Sequence, residues 1–372
     1  MSIKRKGLRI AVVGAGIAGL SCATVLRRSG FEVNVFDKSR GPAGRMSTRR
    51  EGDRQCDHGA QYFIARDPLF QAEVARWQNA GVAAIWPARI AVLDGSARTT
   101  WASAQDRFVG TPSMNAPAKF LAGAQSVTLG CTVTALHRDG RQWRLESAEQ
   151  GTLAERFDVV VLAMPAPQAA DLLREPATRL AALASKTKMR PCWALMVRLP
   201  ERLPVPFDAA FINEGPLRWI ARDSSKPGRN GPETWLLHAN AEWSELYIDA
   251  SAERVADCLL EAFALHGGQR SSEWTAHRWR FADTAASDEP APGYIWDEAS
   301  GLAMCGDWLN GGRVEGAWLS GRMLGKQIAS GWEVAPKHGD GKNKNCQNRT
   351  ASTRNLEFFK KCQPATCWRL KR

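Results

Sequence analysis

Residues 8–37, LRIAVVGAGIAGLSCATVLRRSGFEVNVFD, leave the chain few choices of fold. An apolar run from Leu8 to Val13 meets a glycine-rich turn. A helical stretch follows to about Ser29, Gly30 stops it, and a second apolar run from Glu32 to Phe36 ends on Asp37. Gly14, Gly16 and Gly19 give G-x-G-x-x-G at the strand-to-helix junction. The first glycine permits the tight turn, the second lets a pyrophosphate approach the backbone, and the third lets helix and strand pack closely. A carboxylate about 20 residues on, here Asp37, accepts hydrogen bonds from an adenosine ribose and disfavours a 2′-phosphate. Gly14 and Gly19 also have P-loop spacing, but Leu20 stands where that loop needs its lysine. The stretch predicts an α/β, Rossmann-type dinucleotide domain.

The second constraint lies near the other end. MCGDWLNGGRVEGAW, residues 304–318, reads as a buried strand end, a Gly-Asp pair, a glycine-rich bend and the opening of an apolar helix. The first N–H groups of a helix have no partner inside it, so this is a second anion-binding opening. NAD has no need of it. FAD, longer by a ribityl chain and a ring, does. Between the two openings, CTVTALHRDGRQWRLES predicts a hairpin turning at Asp139-Gly140. The strand FDVVVLAMPAPQ then returns to the parallel sheet, an excursion common in flavoproteins and unusual in NAD dehydrogenases. After Asp37, DKSRGPAGRMSTRR brings Gly41 and Gly44, which let the chain lie against a cofactor, and Arg45, whose guanidinium can chelate phosphate oxygens. The plain alternative for that loop is a solvated basic surface.

Length and composition fit two packed domains of a globular protein: 372 residues, 44% hydrophobic and 24% charged. The net charge of +12 suggests nucleic acid or an anionic membrane until its location is considered, because residues 337–372 carry +8 of it. That segment is polar and without apolar periodicity, which predicts a disordered or loosely attached tail over residues 333–372. Neither a nucleic-acid nor a membrane partner is expected. Three of the nine cysteines lie in the tail and the other six are scattered, with no C-x-x-C, as in a reducing cytoplasm. The basic, apolar N-terminus imitates a secretion signal, but its regular glycines belong to the dinucleotide turn. No histidine pair has metal-ligand spacing and no G-x-S-x-G elbow occurs, so metal hydrolysis and serine chemistry are excluded.

Five stretches together, VVGAGIAGLSCA, FDKSRGPAGRMSTRR, DHGAQYFIARDP, VLAMPAPQ and CGDWLNGGRVEGAWLSG, resemble the renalases, especially the bacterial ones, within the amine-oxidase-like FAD superfamily. The likeness runs from residue 8 to about 332. The first and last motifs are superfamily-wide, whereas DKSRGPAGRMSTRR followed by DHGAQYF is renalase-like. One departure is Ala43-Gly44, where the family has Gly-Gly.

The resemblance implies a p-hydroxybenzoate-hydroxylase-like architecture with non-covalent FAD. The FAD domain is expected over residues 1–74, 108–172 and 292–332, and a mainly antiparallel α+β substrate domain over 75–107 and 173–291. It implies oxidation of the 2- and 6-dihydro isomers of NAD(P)H by O₂, giving NAD(P)⁺ and hydrogen peroxide. By motif, FAD would be held by Gly14, Ala15, Gly16, Ala18, Gly19, Asp37, Lys38, Arg45, His58, Gln61, Val133, Asp307, Arg313, Val314 and Ala317. Tyr62, Arg218, Trp219, His238 and Trp279 would line the substrate pocket, with Tyr62, His238 and Trp279 nearest the reaction. For any one of the seven tryptophans between 193 and 296, plain sheet core is the competing reading. For His238 it is a satisfied core histidine. The rival functions are a flavin amine oxidase or desaturase, and a non-catalytic flavin-binding regulator.

Overall fold

Strand Arg9–Val13 owes its central position to four consecutive buried residues behind Arg9. A strand with no polar face must be covered on both sides. The computed structural model, which describes residues 8–52, 54–94, 98–286 and 290–331, sets it in a six-stranded sheet. The order is Ile295–Asp297, Leu302–Met304, Val159–Leu162, Arg9–Val13, Glu32–Asp37, Ser126–Leu129, parallel except for the first pair. Parallel strands bring their carboxyl ends to one edge, the edge where such sheets bind ligands. Gly14, Asp37, Ala163 and Asp307 therefore follow or close strands along one edge, although 293 residues of chain separate the first from the last.

Two helices cover this sheet back to back. Ile17–Arg28 lies against Val314–Gly331, and the closeness of approach depends on two glycines of the later helix. A Cβ on Gly321 would stand 1.9 Å from the Ala18 carbonyl oxygen, and one on Gly325 2.9 Å from Val25 Cβ. Ser21 Oγ donates to the Trp318 carbonyl at 2.9 Å across the same seam.

The excursion after the third parallel segment is a three-stranded antiparallel sheet, Val133–Asp139, Gln142–Ser147 and Gly151–Phe157. Asp139 pairs with Gln142, so the turn residues are Gly140 and Arg141, one position later than expected. Gly140 takes the φ of +62° that such a turn needs.

The second sheet has seven strands in the order Trp274–Thr284, Met189–Arg198, Thr234–Ala239, Leu217–Arg222, Ala209–Ile212, Ile90–Asp94, Arg98–Trp101. It is antiparallel except between Ala209–Ile212 and Ile90–Asp94. Helix Ala252–Ala264 backs it, capped by the Ser251 hydroxyl, with Val255, Leu259, Leu260 and Phe263 turned inward. Helix Pro68–Asn79 runs across the expected boundary at residue 74, because Phe70, Val74 and Trp77 all bury into the core of the first sheet. Ala209, Trp219 and Ala221 reach that same core, so the two sheets share it. Among the described residues no helix is long and apolar enough to cross a membrane. The expectations for residues 333–372 lie outside the described residues.

Candidate active site

The glycine turn is built by exclusion. Gly14 sits at φ +116°, and a Cβ there would meet the Ala163 carbonyl oxygen at 2.3 Å. A Cβ on Gly19 would meet the Gly14 carbonyl oxygen at 2.0 Å, whereas one on Gly16 would meet nothing within 4 Å. Two of these glycines therefore serve close packing, and the third leaves space. The helix starting at Ile17 has no side-chain cap and no acid in its first turn; the Gly16–Ala43 bridge takes the Ile17 N–H, and that of Ala18 remains for a ligand. Asp37 braces the turn: its carboxylate accepts from the N–H of Ala15 at 2.6 Å and of Ser39 at 2.8 Å. Lys38 beside it is exposed. The Cys131 N–H donates to the Asp37 carbonyl at 2.9 Å, which brings half-buried Val133 to this edge.

The arginine loop lies alongside. The Ala43 N–H donates to the Ala15 carbonyl at 3.0 Å, and Cβ atoms on Gly41 and Gly44 would meet, respectively, nothing and only Gly16 Cα at 3.6 Å. Ala43, the departure from the family pattern, takes φ +128°, a region that strains any residue with a Cβ. The space over Gly16, Gly41 and Gly44, with the opening of the uncapped helix at its floor, fits the pyrophosphate of a dinucleotide.

At the far end Arg45 and Asp307, expected to contact the cofactor separately, hold each other. Arg45 Nη2 donates to Asp307 Oδ1 at 2.5 Å, and Nη1 to the Ala282 carbonyl at 3.0 Å. The Asp307 carbonyl accepts from the N–H groups of Asn310 and Gly312, both at 2.8 Å, which shapes the bend before the last helix. Val314 opens that helix, Arg313 is exposed, and the buried Ala317 closes its first turn by donating to the Arg313 carbonyl at 2.8 Å. Glu315 in the same turn escaped the sequence reading. Its carboxylate accepts from the N–H of Arg66 at 2.6 Å and of Asp67 at 2.8 Å, tying this opening to the next helix. An acid in a first helical turn was the available signal.

The opposite wall comes from strand register. Phe211 pairs with Trp219, Trp219 with His238, His238 with Ala194, and Ala194 with His277, one row across the second sheet. Tyr62 lies 5.8 Å, centroid to centroid, from Trp219. The His58 carbonyl collects two donors, Trp279 Nε1 at 2.8 Å and His238 Nε2 at 3.1 Å. A carbonyl only accepts, so Nε2 of His238 carries the hydrogen. The His58 ring stacks on Trp279 at 5.0 Å and meets the edge of His277 at 4.8 Å. His58, expected among the FAD residues, stands in this wall through both its ring and its carbonyl. Burial, reinforced by neighbouring His277 and Arg49, brings His58 down to about 3. Burial and then Arg218 bring His238 to about 3, and burial and Arg49 bring His277 to about 4. All three are neutral at pH 7.

Arg218 occupies a register shift between Leu217 and Trp219 and pairs with Asp283. Gln61, expected beside the ring, is buried with its side chain turned to the Asp57 and Gly59 carbonyls and to Lys226. His277 and the buried charges Asp57, Asp223, Lys226 and Arg229 were not singled out from sequence. Among the described residues no cluster of His, Cys, Asp or Glu is arranged to hold a metal ion.

Comparison with known proteins agrees with this architecture. The chain aligns with mouse (Mus musculus) renalase at 23% identity over 319 residues, 80% of this chain and 92% of that protein. Cyclohexylamine oxidase from Brevibacterium oxydans IH-35A superposes with a TM-score of 0.70 at 14% identity, covering 88% of this chain and 100% of that one. Putrescine oxidase bound to putrescine gives 0.66 at 12% identity, covering 87% and 99%. At such identities the structures speak for the fold alone. A model of the NAD(P)-binding Rossmann-like domain matches residues 12–76, and one of the flavin containing amine oxidoreductases matches residues 67–324. The second match runs through most of the chain, across both sheets, and so this protein belongs to the flavin containing amine oxidoreductases, is renalase-like within them, and uses FAD.

Proposed function

We propose that this flavoprotein oxidises misreduced nicotinamide dinucleotides, the 2- and 6-dihydro isomers of NAD(P)H. With O₂ and one proton the products are NAD(P)⁺ and hydrogen peroxide. FAD, when bound, supplies the two-electron acceptor and returns those electrons to O₂. Gly14–Gly19, Asp37, Val133, the opening at Val314 and the Arg45–Asp307 pair would hold it.

One observation carries the choice of donor. The rings of the wall stay uncharged, and the Arg218 guanidinium beside His238 is answered by Asp283, so the wall carries no net charge. A neutral aromatic wall suits the flat, uncharged ring of a dihydropyridine. Loss of hydride from a dihydropyridine releases no proton from carbon, so a neutral histidine that only donates a hydrogen bond meets the need. Tyr62 and Trp279, both half-buried, offer flat apolar faces for the nicotinamide, with buried Trp219 packed behind Tyr62; misplacement by about 1 Å can slow transfer ~100-fold. The six described cysteines are all free, in keeping with a reducing cytoplasm.

An oxygen electrode tests the reading. A mixture of the 2- and 6-dihydro isomers should drive O₂ uptake with one peroxide formed per O₂, while putrescine, cyclohexylamine and benzylamine drive none. Uptake with an amine and none with either isomer would replace it with amine oxidation.

A further inference from the structure

Between the glycine cradle and the aromatic wall lies a group of charges that neither uses directly. The side chains of Lys226, Asp57 and Asp223 have no solvent exposure, and that of Arg229 has 3%. Ions so deeply buried persist only when their geometry is answered. Lys226 Nζ donates to Asp223 Oδ1 at 2.7 Å, to Gln61 Oε1 at 3.2 Å and to Asp57 Oδ2 at 3.3 Å, using all three of its hydrogens. Arg229 Nη2 donates to Asp57 as well, and its Nη1 to the Gly110 carbonyl at 2.5 Å. Asp57 further accepts from the Thr48 hydroxyl at 2.6 Å and the Met114 N–H at 3.1 Å. Burial pushes the Asp57 carboxyl up, but Lys226 and Arg229 outweigh it and hold it well below the usual range.

The cluster grips the backbone next to Asp57. Gln61 folds back so that its Nε2 donates to the carbonyls of Asp57 at 2.5 Å and Gly59 at 3.1 Å. Within that loop, the His58 carbonyl receives Trp279 and His238 from the wall. The Ala60 N–H donates to the Arg45 carbonyl at 2.9 Å, and a Cβ on Gly59 would stand 2.0 Å from that same oxygen. Arg45 in turn holds Asp307. Residues 58–60 therefore touch the wall on one side and the cradle on the other, with no helix or strand of their own to fix them.

We infer that Lys226 is a positioning residue: by tying Asp57 to Gln61 from beneath, it fixes residues 58–60 and with them the placement of Trp279 and His238 relative to Arg45 and Asp307. It acts through these neighbours. The inference rests on the FAD site, and only its turnover readout depends on the proposed donor.

The test uses the FAD-loaded full chain and the double variant Lys226→Gln/Asp223→Asn, which removes one buried charge of each sign. Folding should survive. Amide exchange across residues 58–61 should accelerate about tenfold or more as that loop loosens, and the visible circular dichroism of bound FAD should change. Flavin reduction by the 2- and 6-dihydro isomers should slow about 10- to 100-fold, with KM moved less than about threefold. Should the double variant not fold, Lys226→Arg keeps the charge without the compact three-way donor, and the same exchange and dichroism changes are expected. A folded variant with unaltered exchange and dichroism overturns the inference. Failure of both variants to fold overturns it too, since the cluster is then a stability element. Exchange and dichroism need no donor, so they fail separately from the proposed reaction.

Discussion

The cradle around Gly14 and the wall around His58, proposed to hold FAD and the donor respectively, are built of different materials. The cradle is backbone: a turn, a helix opening, and glycines whose missing side chains make the space. The wall is side chains delivered from separate strands and held by hydrogen bonds to one carbonyl. A backbone site tolerates almost any ligand edge but no added atom. A side-chain site can be tuned ring by ring, but it depends on burial keeping those rings neutral.

The largest effect that can break this contrast is in the cradle. Gly19→Ala puts a methyl group against the Gly14 carbonyl and should cost more than about 4 kcal/mol, seen as lost folded protein in denaturation. Gly16→Ala meets nothing within 4 Å. Its stability without FAD should change by less than about 1 kcal/mol, yet FAD affinity should fall about tenfold or more, because the pyrophosphate needs that space. Equal effects of the two substitutions would end the distinction between packing glycines and ligand glycines.

The wall should instead be sensitive to acid. His58 and His238 sit at about 3 in the folded protein against an ordinary 6.5. The unfolded chain takes up their protons first as pH falls, so stability present above pH 6.5 is lost on the way down toward 3. The slope is about 1.4 kcal/mol per pH unit for each histidine, readable by urea denaturation between pH 7 and about 4.5. His277, at about 4, adds to the same slope, so His238→Phe should flatten it by about a third, whereas Gly16→Ala should leave it alone.

Two smaller effects sharpen the boundary between the regions. Asp307→Ala strands Arg45 and should weaken FAD binding by about 1–3 kcal/mol in a fluorescence titration. Ala43→Gly relieves a positive-φ strain of about 1–3 kcal/mol and regains less than that in chain entropy, so stability should rise by about 0.5–2 kcal/mol. No change at Ala43 would mean that the loop already accommodates the methyl group.

The same contrast governs what could be read in the sequence. The cradle lies within thirty residues, Leu8 to Asp37, and each glycine's role follows from its local position, so strand, helix, stop and acid were all legible. Helix Ala252–Ala264 likewise carries its signals locally, an apolar face and the Ser251 cap. Trp219, His238 and Trp279 were singled out only through family likeness and His277 not at all, because the Trp219–His238–His277 row exists by strand register, which no local pattern specifies. Lys226 stood out least. Its partners Asp57 and Gln61 are 169 and 165 residues away, and a lone lysine in a loop reads as solvated until the fold buries it. The Arg45–Asp307 pair was half legible: both residues were singled out, but not their bond across 262 residues. Helix Pro68–Asn79 crossed an expected boundary because its buried face belongs to a core assembled from distant strands.

Anaerobic rapid mixing reads the central claim most directly. The 2- and 6-dihydro isomers of NAD(P)H should bleach the flavin absorbance within seconds. Ordinary 1,4-dihydro-NADH should do so at least about 100-fold more slowly, its hydride-bearing carbon being displaced from the position the wall selects. Readmitted O₂ should restore the spectrum with one peroxide per flavin. Fast bleaching by a primary amine, with no response to either dihydro isomer, would contradict the account.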